Sequence, residues 1–154
     1  RPDGLILGKA LGGGLLPVSL FLARGDVLDV LAPGDHGSTF GGNPLASAVG
    51  LAALNLLVDA DLSTHAAAMG AHFSAGLRQI SSPYIREVRG KGLLIGIEVH
   101  RELITARALA LRLQDQGILT RDVHDSVLRF APPLTITRAQ LDRALAAIRR
   151  AFGS

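Results

Sequence analysis

Gly4-Leu5-Ile6-Leu7-Gly8-Lys9-Ala10-Leu11-Gly12-Gly13-Gly14 is the stretch on which the fold of this chain turns. Its first five residues are short, apolar and bounded by glycine, as in a strand buried within a parallel sheet. The glycine triplet then turns the chain, and Pro17 to Ala23 reads as a second buried strand. Lys9 follows the first strand at its carboxyl end, where open α/β sheets place their ligands. A lysine held there against apolar walls is desolvated, which favours the neutral, nucleophilic amine. The alternative is a lysine reaching past the strand end into water. A P-loop is excluded, because that motif puts its glycines before the lysine and Ser or Thr directly after it; here Ala10 follows.

Outward from this stretch, Asp26 to Leu31 reads as one or two helical turns. A glycine-rich loop from Pro33 to Gly42 comes next. Asn43-Pro44 then marks a helix start, with a capping side chain and a proline at the first helical position. The Ala/Leu/Val surface of this helix, to about Val58, predicts burial on most sides. A second helix is predicted from about Leu62 to Ile80, where Leu62, Ala66, Met69, Phe73, Leu77 and Ile80 make one apolar stripe.

After Pro83 the pattern changes. Ile85 to Arg89 and Leu93 to Val99 read as a hairpin around Gly90-Lys91-Gly92. Thr105 can cap a helix ending near Gly117. Ile118 to Arg121 and Val127 to Ala131 read as short strands about the turn His124-Asp125-Ser126. Thr137 and Gln140 form a capping box, opening a last helix with Leu141, Leu145, Ile148 and Phe152 inward. The fold class is α/β: residues 1–62 read as a slice of a mostly parallel-sheet domain, and residues 63–154 as a smaller α+β domain.

Composition narrows the function. No apolar run approaches the ~20 residues of a membrane span, and no signal-peptide pattern is visible. Without cysteine there is no disulfide or thiolate metal site, which fits a cytoplasmic protein. The net charge of +3 comes from scattered basic residues, and aromatics make up only 4%, so nucleic-acid binding is a weak reading. Of the 16 basic residues all are arginine except Lys9 and Lys91. A lysine in such a chain marks either chance or a place that needs a compact amine able to lose its proton.

Three further places carry chemistry. The loop Gly37-Ser38-Thr39-Phe40-Gly41-Gly42 puts hydroxyls and glycine amides before a helix start, a setting for phosphate or for a plain connection. Arg129 sits in the apolar segment Val127 to Leu134, where it lines a cleft for a carboxylate or pairs with an internal acid. Lys91, between glycines at a turn, reads as structural. His36 and His124 are ambiguous, and His65, His72 and His100 lack metal-ligand spacing, so no metal site is expected.

In order and spacing, these segments resemble the class III aminotransferases of the fold type I pyridoxal-phosphate group. The resemblance rests on Arg1-Pro2-Asp3, Gly8 to Gly14, Pro17-Val18-Ser19, His36 to Pro44, Val88 to Leu93 and Leu128 to Leu134. Within the class, Arg129 to Leu134 and the run around His36 are most similar to the ornithine aminotransferases; acetylornithine and 4-aminobutyrate aminotransferases share the lysine and threonine motifs. The resemblance implies that Lys9 is the Schiff-base lysine of pyridoxal 5'-phosphate and the proton shuttle of the reaction. It implies that Ser38 and Thr39 reach the cofactor phosphate of the neighbouring subunit in a homodimer, and that Arg129 grips the carboxylate of 2-oxoglutarate or glutamate. The family is more than twice this long, and its earlier part supplies the first phosphate loop, a stacking aromatic ring and the aspartate on the pyridine nitrogen. The expectation is therefore a C-terminal part, inactive without its N-terminal half, or else a non-catalytic assembly module that keeps the fold.

Overall fold

A computed structural model describes residues 1–153. The chain divides into two compact units, Arg1–Ala60 and Asp61–Ser154. In the first, β1 (Gly4–Leu7) and β2 (Leu20–Ala23) form a two-stranded sheet in which Gly4 pairs with Ala23 and Leu7 with Leu20. The pairing is antiparallel, which corrects the expectation of parallel neighbours. The physical reason lies in the connection. A parallel pair needs a crossover, usually through a helix. Here the return is made by one 3-10 turn, Lys9–Gly12, and by Gly13 and Gly14 at φ of 60° and 79°. These left-handed glycines reverse the chain with no Cβ penalty.

Arg24 fastens the sheet. It sits at the far end of β2, and its guanidinium donates to Asp26 at 2.9 and 2.6 Å and to Asp3, just before β1, at 2.9 Å. The hydrogen bonds to Asp26, then the one to Asp3, raise its pKa above the ordinary arginine value. A short helix, α1 (Gly25–Leu28), follows.

The helix α2 (Pro44–Asp59) starts where the sequence predicts, with Asn43 Oδ1 accepting from the Ala46 amide at 2.9 Å. It packs on the 3-10 turn through small residues: a Cβ on Gly13 would meet Ala53 Cβ at 3.3 Å. Its predicted burial does not hold within these residues. Only Ala46 and Gly50 are buried, while Leu45, Leu51, Leu56 and Val58 are exposed. Both strands are exposed as well, against expectation. One long helix, a short one and two strands cannot cover each other's apolar faces.

The second unit is closed. Its sheet has the order β3-β4-β6-β5, from β3 (Ile85–Lys91), β4 (Leu94–Val99), β5 (Arg121–Val123) and β6 (Val127–Phe130), all antiparallel. The hairpin lies where the sequence placed it, with Gly92 at φ 55° in the turn. Helices α3 (Leu62–Arg78), α4 (Ala106–Asp115) and α5 (Arg138–Phe152) contribute Phe73, Leu77, Leu109, Leu113, Leu141 and Ile148 to one core with Ile95, Ile97, Leu128 and Phe130 of the sheet. Phe73 meets Phe130 edge-to-face, with centroids 5.8 Å apart. Thr105 caps α4, and Thr137 and Gln140 complete the capping box of α5. At β5 the strand lies further along than Ile118 to Arg121, leaving Leu119 exposed.

Candidate active site

Lys9 emerges directly after β1, as the first residue of the 3-10 turn. Its φ is 50°, a left-handed conformation uncommon for a residue with a Cβ and costly without a compensating role. The side chain is exposed and has no hydrogen-bond or ion-pair partner among the described residues. It lines an open recess of about 520 Å³ with Leu15, Leu16, Pro17, Val18 and Ser19. The apolar enclosure expected around this amine is thus not formed by these residues. The strands beside it are themselves uncovered, so nothing on this side removes water from it.

The Ser38 loop borders a second cavity of about 540 Å³, lined also by Phe40, Asn43, Leu51 and Leu54. Pro17, Val18 and Ser19 line both cavities, but Lys9 and Ser38 do not share one, and Thr39 lines neither. The donors here differ from the expected helix-start site. Pro44 has no N–H, the Ala46 amide is spent on Asn43 Oδ1, and the Ser47 amide on the Asn43 carbonyl at 3.1 Å. The remaining donors are the Leu45 amide, side-chain hydroxyls and loop amides. Ser38 Oγ accepts from the Gly41 amide at 3.2 Å and keeps its own proton to donate, and the Thr39 hydroxyl has no partner among the described residues. A free amine and two free hydroxyl donors suit a cofactor that carries an aldehyde and a phosphate.

Arg129 lies in the second unit, on β6 between the buried Leu128 and Phe130. Alternation points it to the opposite, exposed face. Its backbone is held by the Thr120 hydroxyl, which donates to the Arg129 carbonyl at 2.7 Å. Its guanidinium has no ion-pair or hydrogen-bond partner among the described residues, so the internal salt bridge is not what occupies it. Lys91 ends β3 at the hairpin turn, and His36 is exposed with no bond in the same set. Sequence reasoning missed the strained φ of Lys9, since no pattern announces a left-handed lysine. It also missed Arg121, whose register opposite Arg129 is visible only once β5 is placed.

A lysine at a strand end beside a glycine turn, with an α+β unit presenting an uncommitted arginine, fits the fold type I pyridoxal-phosphate transferases, and solved structures bear this out. The ornithine aminotransferase of Toxoplasma gondii, crystallised with oxidised glutathione and holding PLP at partial occupancy in its active site, matches with a TM-score of 0.94 at 44% identity, over 98% of this chain and 36% of its own. The acetylornithine aminotransferase of Elizabethkingia anophelis matches at 0.92 and 43% identity, over 99% of this chain and 41% of its own. The aminotransferase class-III family model matches residues 1–152, and the chain belongs to that family. An ornithine aminotransferase of Staphylococcus epidermidis is 53% identical over 152 residues. That alignment takes in 99% of this chain but 38% of the relative, so the chain spans well under half the length of the curated relatives it matches.

Proposed function

We propose that this chain is the C-terminal part of a pyridoxal-phosphate-dependent aminotransferase that moves the δ-amino group of ornithine to 2-oxoglutarate, giving glutamate 5-semialdehyde and glutamate. The observation that carries this reading is Lys9: an unpartnered amine at a strand end, held at φ 50°. Strain of that kind persists where position matters more than local stability. When bound, pyridoxal phosphate supplies an aldehyde that condenses with amines and a ring that draws electrons from the carbon next to nitrogen.

The rest is work for this chain's own residues. Lys9 would hold the cofactor through its aldehyde carbon, with water leaving, and as a free amine would hold and move the proton at the substrate carbon bearing nitrogen. Ser38 and Thr39 donate hydroxyl hydrogens to the phosphate held by a neighbouring subunit of a homodimer. Arg129 presents two parallel N–H groups to the carboxylate of the oxo-acid or of glutamate. Turnover requires the N-terminal half, on the same or a separate chain.

The test is borohydride reduction of the cofactor-loaded full-length protein, followed by peptide mapping. The expected tag is on Lys9, and Lys9→Ala should lower turnover by about a thousandfold or more. A tag found only on Lys91, or nowhere, overturns the reading. The likeness to the acetylornithine enzyme at 43% identity favours one alternative donor. Comparing kcat/KM for ornithine, acetylornithine and 4-aminobutyrate decides among them.

A further inference from the structure

The exposed face of the second unit's sheet carries a row of charges that do not balance. The register sets Arg89 opposite Gly96, Gly96 opposite Arg129, and Arg129 opposite Arg121. Residues paired in this way share one face. The other face belongs to the core: Ile95, Ile97, Leu128 and Phe130 are buried, and Asp122 on β5 turns that way toward Arg107 of α4, 3.5 Å away. Along the row, Arg89 is satisfied, donating to Glu87 at 2.8 Å and to Glu98 at 2.6 Å. Arg129 and Arg121 have no partner for their guanidinium groups among the described residues. Like charges directly opposite each other destabilise a ladder. A sheet that keeps two there, with no acid between them, is arranged for an anion from outside.

Gly96 gives an independent pointer. It sits mid-strand between the buried Ile95 and Ile97, where a glycine weakens the strand and, with the register unbroken on both sides, leaves room for a close approach rather than marking a bulge. A Cβ there would stand 3.3 Å from Val127 Cγ1, on the face that Arg129 shares.

We infer that Arg121 is a second cation of the carboxylate site at Arg129. Arg129 makes the paired N–H contacts, Arg121 raises the positive potential on the same carboxylate, and Gly96 keeps the sheet surface beside it clear. The ligand class is a dicarboxylic 2-oxo acid or the matching amino acid. The inference rests on the role proposed above for Arg129.

The experiment uses the complete, cofactor-loaded enzyme with 2-oxoglutarate as acceptor. Arg121→Gln is expected to raise KM about fivefold with kcat unchanged, the effect of one charge roughly 8 Å away at an effective dielectric constant of about 40. Arg121→Glu should raise it about twenty-five-fold, and Arg121→Lys should restore it, because the charge alone is used. Added salt should narrow the gap between parent and variant. The ligand-free Arg121→Gln protein should melt no lower than the parent, since a like-charge opposition is relieved. A raised KM with a lowered melting temperature and no salt dependence would make Arg121 a structural residue and overturn the inference. An unchanged KM in Arg121→Gln, with Arg129→Gln still raising it, overturns the inference and leaves the proposed function standing. An unchanged KM in Arg129→Gln as well removes the role of Arg129 itself.

Discussion

The two units of this chain are made from similar proportions of apolar residues and come to opposite ends. In Asp61–Ser154 the sheet and three helices close over one core, with Leu77, Ile97, Leu109, Leu113, Leu128 and Ile148 fully buried. In Arg1–Ala60, Ala46 is the one buried apolar side chain among the described residues, and Ile6, Leu15, Phe40 and Val58 stand 70% or more exposed. Sequence hydrophobicity measures a demand for burial, whereas burial itself depends on how many faces the chain brings together. The first unit carries Lys9 and the Ser38 loop, so its candidate site is built on the part least able to hold itself together.

The sharpest way to break this contrast is to separate the units. Residues 61–154 expressed alone should fold, with a cooperative thermal transition and dispersed amide resonances. Residues 1–60 alone should show neither, because a two-stranded sheet with one long helix and a single short helical turn does not offset the chain entropy of sixty residues. A cooperative melt from 1–60 would show that its apolar surface is tolerable in water and would end the comparison.

Single substitutions sharpen it next. Leu77→Ala removes a side chain at 0% exposure and should cost about 2–5 kcal/mol in denaturant unfolding. Leu51→Ala removes the same atoms at 60% exposure and should cost less than about 0.5 kcal/mol in this chain. If Leu51→Ala is expensive in a longer protein that contains this chain, the difference reports the area that the added residues lay over α2.

The same contrast decides what was legible from the amino-acid order. The second unit was readable in most of its elements, β5 excepted. Thr105 and Thr137 cap the helices they precede, the stripe from Phe73 to Ile80 is buried, and the hairpin turns at Gly92. Local rules suffice where each pattern is satisfied by neighbours inside the same unit. In the first unit the Asn43 cap was equally readable, since it involves only Ala46 three residues on. Strand direction and burial were not. An apolar run such as Leu5-Ile6-Leu7 states that it wants cover, but the antiparallel partner is dictated by the turn that follows. At the site, residue type and order pointed to Lys9, Ser38, Thr39 and Arg129. The left-handed backbone of Lys9 and the facing of Arg121 on Arg129 are properties of backbone geometry and register. The spent amides at the start of α2 likewise follow from Asn43 satisfying its own helix before any ligand arrives.

The smallest expected effect lies on the exposed sheet face of the second unit. Glu98 accepts from Arg89 at 2.6 Å and from Arg86 at 3.1 Å. The Arg89 hydrogen bond, followed by the charges of Arg86, Arg89 and His100, holds its carboxyl below the ordinary value of 4.5. A carboxyl whose pKa is lower in the folded state stabilises the fold fully at pH above its unfolded value. That contribution fades as the pH falls through the folded value. The stability of 61–154 should therefore be flat for this group down to about pH 5 and decline below it, and Glu98→Gln should remove part of the decline. Because the pair is exposed, the difference between parent and variant should shrink in high salt. In unit 1, by contrast, the ion pairs of Arg24 with Asp3 and Asp26 brace a layer without a core of its own. An acid transition of equal size in Glu98→Gln and parent would show that the network on this face is incidental, and that the core beneath it alone sets the stability of the closed unit.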